Sequence, residues 1–455
     1  MGTRRSYALL VGCLSVALVV SSCGGRTGLL FFDEAAPACT APARSPVAGC
    51  EAGSTTIGGT VYDPSGHNPL YNVVVYVPGG TPDPLPSGAT CDTCSDLYTG
   101  SPIATTLTDG AGRFVLSNVP SGNDVPLVLQ IGKWRRQLRI PNVVACTENL
   151  LTDGLLTLPK NQSEGDIPSI AVSTGGSDTL ECLFRRMGID ASEYTGDPQG
   201  AGRIHVFQGT GKIGRGSAPT TSVPAPSSAT NLWDSVDDLK RYDMVFLSCE
   251  GQETMNMNQQ ALFDYAASGG RVFASHFHYS WFNTGPFANW NLATWLPGSG
   301  DIGDVDSVVT TTLPNGSPFA KGSALAQWLG AAGVLLADGE LPIQQARHNA
   351  DLSSANTATQ SWLAADADAS APGASQAFSF NAPLDAPPAS QCGQVVYTAM
   401  HVGAASNDIP GLPVPDECAT DNLSPQEMAL EFLVFNLSSC VTPTDETPQA
   451  PPACP

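Results

Sequence analysis

Near residue 166 the hydrophobic pattern changes period, and this switch limits the available folds more than any single motif does. From residue 55 to 160 the apolar residues come in short, β-branched runs cut by turn residues. Residues 56–62 are closed by Asp63-Pro64-Ser65-Gly66 and followed by residues 73–77, 103–107, 114–116, 127–131 and 137–140. No helical stripe interrupts them, so the segment 55–160 reads as an antiparallel β-sandwich. Beyond 166, strands alternate with helices. Residues 167–173 end in Thr174-Gly175-Gly176, and Leu180, Leu183, Phe184 and Met187 then recur at helical spacing up to Gly188. Strands over 204–207, 243–247 and 272–274 alternate with helices over 233–241 and 259–267. Such alternation predicts a mostly parallel sheet covered by helices on both faces, with its crevice at the carboxyl ends of the strands. Elements over 305–312, 324–329, 377–380 and 394–399, and an amphipathic helix over 426–437, complete the segment 166–441. The expected fold class is therefore multidomain: an N-terminal β-sandwich and a C-terminal α/β doubly wound, flavodoxin-like domain, before a Pro-rich tail over 442–455.

The first residues speak to compartment. Arg4 and Arg5 precede an apolar run over 8–20, an export signal too short to serve as a stable membrane span. It closes in Val20-Ser21-Ser22-Cys23, which resembles the lipobox of bacterial lipoproteins. The resemblance implies a signal peptide over 1–22, lipidation at Cys23, a tether over 23–54 and anchorage in the cell envelope. Gly24, with no Asp after the lipidated Cys, points to the outer membrane, facing the periplasm or the cell surface. Thirteen Cys fit an oxidising compartment. Cys91-Asp-Thr-Cys94 lies among Pro and Gly rather than at a strand-to-helix junction, so a loop disulfide, within the pair or to Cys146, is expected instead of a redox motif. A net charge of −22 argues against nucleic acid as a partner.

Within the sandwich, Ile57-Gly58-Gly59-Thr60-Val61-Tyr62-Asp63, Tyr71-Asn72-Val73-Val74-Val75-Tyr76-Val77 and Thr108-Asp109-Gly110-Ala111-Gly112-Arg113-Phe114-Val115-Leu116 resemble the carboxypeptidase-regulatory-like domain. Related Ig-like domains are grouped with starch-binding-like sandwiches, which implies carbohydrate binding. Trp134, Tyr71 and Tyr76 could then offer stacking faces, although Tyr and Trp also bury readily in small sandwiches.

The second half resembles the class I glutamine-amidotransferase-like superfamily, and within it the ThuA-like group. Three blocks carry this: Tyr242-Asp243-Met244-Val245-Phe246-Leu247-Ser248-Cys249-Glu250-Gly251, Gly269-Gly270-Arg271-Val272-Phe273-Ala274-Ser275-His276 and Gly393-Gln394-Val395-Val396-Tyr397-Thr398-Ala399-Met400-His401. The family's Gly-x-Cys-x-Gly elbow is replaced by Ser275-His276-Phe277, so glutamine hydrolysis is not expected. Cys249 and Glu250 follow one strand, Ser275, His276 and His278 another, and His401 a third, so a doubly wound sheet brings them to one rim. His276 and His401 sit where the ThuA-like pattern also carries His. One reading makes an imidazole a general base, or one of two or three metal ligands completed by Glu250. The other treats these groups as hydrogen-bonded structural residues. No metal and no cofactor is expected.

Other signals are weaker. Gly209-Thr210-Gly211-Lys212-Ile213-Gly214 matches a dinucleotide fingerprint, but Pro219, Pro224 and Pro226 follow instead of a helix. Lys133, Arg135, Arg136 and Arg139 form a basic cluster for an acidic partner, a lipid headgroup or a charged strand edge. Trp281, Trp290 and Trp295 could line a sugar cleft or pack under a loop. Together these features predict a lipid-anchored binding or scaffolding protein of the envelope, with carbohydrate or another envelope protein as partner. The alternative is a hydrolase or carbohydrate-processing enzyme using the His-rich rim.

Overall fold

Seven short strands make up the N-terminal part of the described chain, which in this computed structural model comprises residues 50, 54–91, 94–209, 226–254, 258–409 and 414–453. They are β1 (Thr56–Thr60), β2 (Val74–Pro78), β3 (Pro102–Leu107), β4 (Arg113–Ser117), β5 (Gly122–Ile131), β6 (Trp134–Val143) and β7 (Glu148–Leu150), with the short helix α1 (Cys94–Leu97) after β2. They pair as two sheets, β4-β1-β7 and β3-β2-β5-β6. Alternation does the packing: along β4, Phe114 and Leu116 are buried while Arg113, Val115 and Ser117 face solvent. Strand β7 is absent from the apolar pattern because its pairing is brief and parallel, against β1. Cys23 and the segment 210–214 of the Gly-rich loop lie outside the described residues.

The C-terminal part is built on one ten-stranded sheet. Its strands are β8 (Ile170–Ser173), β9 (Tyr194–Thr195), β10 (Ile204–Phe207), β11 (Met244–Leu247), β12 (Arg271–Ser275), β14 (Asp301–Val309), β15 (Leu341–Arg347), β17 (Thr359–Ala365), β18 (Ser375–Ala382) and β19 (Gly393–Thr398). The strands β13 (Thr294–Trp295) and β16 (Ala350–Asp351) pair separately. The sheet is mixed rather than mostly parallel. β9, β10, β8, β11, β12 and β19 run parallel, whereas β18, β17, β14 and β15 extend the sheet antiparallel. Residues 366–374, between β17 and β18, are too few for a crossover, so that pair can only be antiparallel. Among the five longer parallel strands the spatial order is β10-β8-β11-β12-β19, so direction of winding reverses between β8 and β11.

Helices cover both faces of the parallel strands. α2 (Leu180–Arg186) and α7 (Pro425–Ser438) share a core with Ile170, Val172, Phe246, Phe273 and Val396. On the opposite face, Ala171, Val245, Leu247, Val272 and Val395 pack with α3 (Thr230–Trp233), α4 (Val236–Leu239) and α5 (Gln260–Ala267). The single helix expected over 233–241 is two separate turns, because Ser235 is extended and its hydroxyl caps α4 at the Asp237 N–H. α6 (Ala320–Ala331) lies against α7 and β14.

α7 departs most from expectation. The sequence pattern predicts an amphipathic helix, yet all of its residues except Pro425 are buried. A helix apolar or internally paired on every side is a core helix, and α7 is held between sheet and sandwich. Tyr71 stacks on Phe432 at 5.8 Å, Trp134 meets Phe435 edge-on at 5.6 Å, and Asn68 Nδ2 donates to Glu431 Oε2 at 2.7 Å. The basic cluster bridges the same two parts. Lys133 pairs with Asp243 at 2.8 Å and Arg135 with Asp166 at 2.8 Å, so their acidic partners are internal; Arg139 alone of the four is largely exposed.

Three disulfides are present among the described residues: Cys50–Cys146, Cys91–Cys392 and Cys182–Cys418. They are the chemistry of an oxidising compartment. Cys91 therefore bonds neither Cys94 nor Cys146 but reaches the start of β19, a partner 301 residues away. No helix among the described residues is long and apolar enough to cross a membrane.

Candidate functional site

Parallel strands end together, and three adjacent ones here end in groups that carry chemistry. Cys249 follows β11, His276 follows β12 and His401 follows β19. One ligand atom from each lies within 4.8 Å of those of the other two. Cys249 Sγ is 3.3 Å from His276 Nδ1, and the rings of His276 and His401 meet edge-on with centroids 4.9 Å apart. The three residues are 0%, 3% and 2% exposed, so the expected rim is a buried cluster rather than an open one.

The hydrogen bonds set the tautomers. His276 Nε2 lies 3.1 Å from the Ser299 carbonyl, which can only accept, so Nε2 carries the proton and the Nδ1 lone pair faces the Cys249 thiol. His276 itself holds φ at +41°, a left-handed conformation that costs a side-chain-bearing residue roughly 1–3 kcal/mol and is usually retained for a reason. Three polar side chains brace the surrounding backbone. Ser275 Oγ accepts from the Cys249 N–H at 2.8 Å, Asp178 Oδ1 accepts from the Val402 N–H at 2.8 Å, and Gln426 Nε2 donates to the His401 carbonyl at 2.6 Å. Ser275 is therefore a bracket for the β11 loop; its hydroxyl accepts from the Cys249 backbone and is hydrogen-bonded to the Asp178 carboxyl.

The electrostatics favour neutral groups. Burial, with the nearby Arg347 guanidinium second, lowers His276 to about 3. Burial likewise holds His401 well below the usual imidazole range, with His276 and Arg347 adding to it. Burial pushes the Cys249 thiol up to about 12 and the Asp178 carboxyl up to about 6. At neutral pH the cluster is one thiol and two uncharged imidazoles. These are soft and borderline donors without a formal charge to compensate.

The remaining candidates separate from this cluster. Glu250 is buried but outside the 4.8 Å set; a Cβ placed on Gly209 would come within 2.8 Å of its Oε1. His278 turns away, its Nε2 donating to the Ser248 carbonyl at 2.9 Å, and burial lowers it to about 4. Trp134 and Trp281 are fully buried, so neither has a face for a sugar. Trp134 donates to Ser438 Oγ at 3.2 Å, and Trp281 packs edge-on against Trp233 at 5.6 Å. Tyr76 is also buried, and Tyr71 is covered by Phe432. Asp178 and Gln426 escaped the motif reading. Gln426 has no local signal, but Asp178, in Gly-Gly-Ser-Asp between a strand end and a helix, had one.

No protein-family description matches the chain, and no curated protein is similar to it. Among solved structures, a chain of the type II cohesin–X-dockerin complex of Acetivibrio cellulolyticus, an N-terminal interface mutant, is similar over 28% of this chain and 79% of that one. The two are 14% identical, with a TM-score of 0.16.

Proposed function

We propose that this chain is a lipid-anchored binding protein of the cell envelope. On this reading Cys23 carries the lipid, the sandwich is a carboxypeptidase-regulatory-like module, and the second half is a flavodoxin-like, ThuA-like domain without amidotransferase activity. The observation that carries it is the burial of Cys249, His276 and His401 together at three strand ends, which suits a small ligand held in place better than a substrate in turnover. The order β10-β8-β11-β12-β19 supports the doubly wound reading, because it matches the 2-1-3-4-5 winding of flavodoxin-like sheets. The disulfides support export. Its envelope partner is another protein, or a glycan bound elsewhere than at Trp134 and Trp281.

A second reading, a thiol hydrolase, has one observation in its favour: the 3.3 Å between Cys249 Sγ and His276 Nδ1 is close to a nucleophile–base distance. The thiol's raised pKa and its lack of exposure weigh against it.

The test uses the full chain expressed in a bacterium fed radiolabelled palmitate. Label retained by the wild type and lost in Cys23→Ala is the expected result; no label in the wild type overturns the anchor. The purified protein should release no ammonia from glutamine and no product from a panel of esters and glycans. Turnover abolished by Cys249→Ser in a folded protein would replace binding with hydrolysis.

A further inference from the structure

We propose that Cys249, His276 and His401 form a binding site for one thiophilic, closed-shell metal cation, Zn²⁺ or Cu⁺. The inference deepens the binding reading above and rests on it, by naming the class of small ligand the buried cluster holds.

The donor set and its spacing come first. Thiolate and imidazole are the protein ligands that select zinc and copper(I) over harder cations. With metal–sulfur and metal–nitrogen bonds of roughly 2.3 Å and 2.0 Å, two ligands on a tetrahedral edge lie roughly 3.5 Å apart. Cys249 Sγ and His276 Nδ1 already stand at 3.3 Å, and the whole set lies within 4.8 Å, so loading needs a contraction of the third ligand and no rearrangement of strands.

The surroundings are those of a ligand site. The Ser299 carbonyl, by accepting a hydrogen bond from the Nε2–H of His276, leaves Nδ1 with its lone pair directed at the cluster; this is the outer contact that metal-bound imidazoles usually have. The second, independent observation is His401. It is 2% exposed, and its Nε2 has no hydrogen-bond partner among the described residues. A buried imidazole nitrogen left unpaired beside a thiol and a second imidazole is a position that a bound ion would fill.

Ser299, whose carbonyl meets His276, is itself exposed. Three protein ligands leave one position of a tetrahedral ion open and satisfy a trigonal Cu⁺ completely. On binding, the Cys249 S–H bond breaks, its proton passes to bulk water, and the sulfur–metal bond forms in its place. No electron is transferred.

The experiment titrates the full chain, stripped with chelator under conditions that keep the disulfides intact, with Zn²⁺, with Cu⁺, and with Co²⁺ as the spectroscopic probe. The expected result is one equivalent bound per chain, a thiolate-to-cobalt band in the near ultraviolet, and a zinc-dependent rise in Tm. Cys249→Ser is a near-isosteric change that removes the thiolate; it should remove the band and weaken zinc at least about 100-fold, beyond the roughly 10–100-fold that losing an outer-shell contact costs. His276→Ala should also lose the band while circular dichroism shows the fold retained. Cys94→Ser, which alters a thiol outside the cluster, should keep band and affinity. Uptake of no ion by the folded wild type, or equal affinity in Cys249→Ser, overturns the metal site. Either outcome leaves palmitate labelling intact, so failure of the metal proposal is distinguishable from failure of the envelope reading. Tighter binding and greater Tm rise with Cu⁺ than with Zn²⁺ would assign the trigonal ion, and the reverse the tetrahedral one.

Discussion

Cys249 Sγ and His276 Nδ1 stand 3.3 Å apart although they belong to different strands and are separated by 27 positions in the chain. Each follows the end of its own strand, β11 or β12, and those strands pair in parallel from Met244↔Arg271 to Leu247↔Ala274. Parallel register therefore delivers the two side chains to one place, and the bracket from Ser275 to the Cys249 backbone keeps them there.

Removing that bracket tests how far the site depends on it. Ser275→Ala leaves the buried Cys249 N–H without its acceptor, which costs about 1–3 kcal/mol of unfolding free energy. Urea denaturation of the disulfide-intact chain measures the loss. An unchanged midpoint would mean that Ser275 does not hold the loop.

Trp134 joins the sandwich to helix α7 through Phe435 and Ser438. Trp134→Ala should destabilise the protein by about 3–5 kcal/mol, the range for emptying a large aromatic site in a core. A single cooperative calorimetric transition in the wild type, splitting into two in the variant, would show that this contact couples the parts. Two transitions already in the wild type would contradict the shared core.

Arg186 lies at 1% side-chain exposure against Asp408 and Glu427, which are 2% and 1% exposed; it is 2.7 Å from Asp408. Substituting Arg186→Met abandons two buried carboxylates and should cost about 3–5 kcal/mol at neutral pH. Chemical denaturation of the disulfide-intact variant at neutral pH measures the loss; an unchanged midpoint would show that Arg186 does not compensate the two carboxylates.

Glu431 gives a pH dependence of opposite sign to an ordinary ion pair. Burial first, and Asp63 beside it second, raise its pKa well above the usual 4.5. The folded state thus holds a proton that the unfolded state releases. Its stabilising contribution is complete below pH 4.5 and falls as pH rises toward the raised value, by about 1.4 kcal/mol per pH unit. Glu431→Gln, which cannot ionise, should match the wild type near pH 4 and exceed it in Tm at pH 7. Equal melting temperatures at both values would show that Glu431 does not carry this proton.

Much of the framework was readable because it depends on neighbours in the chain. Alternation along β4, the αL stop at Gly188 after α2 and the strand runs before Cys249, His276 and His401 are local matters of sterics and period. The strand-end rule grouped residues of which the structure brings three, Cys249, His276 and His401, within 4.8 Å. It could not separate them from Glu250 and His278, because the direction of a side chain in a loop depends on what packs against it. His278 turned to the Ser248 carbonyl, and nothing within a few residues of it specifies that choice.

Sequence by itself determined the strands β8, β10, β11, β12 and β19 and the helices α2, α5 and α7, since backbone propensity and hydrophobic period are properties of short segments. It also determined that the strand ends carry thiol and imidazole groups. Only the tertiary structure decided that Cys91 reaches Cys392, that α7 is covered on all sides, that Trp134 is core rather than a sugar platform, and that the His–Cys cluster is sealed. Each of these depends on surfaces brought together from hundreds of residues apart, and the free energy of burying one surface is undefined until the other arrives.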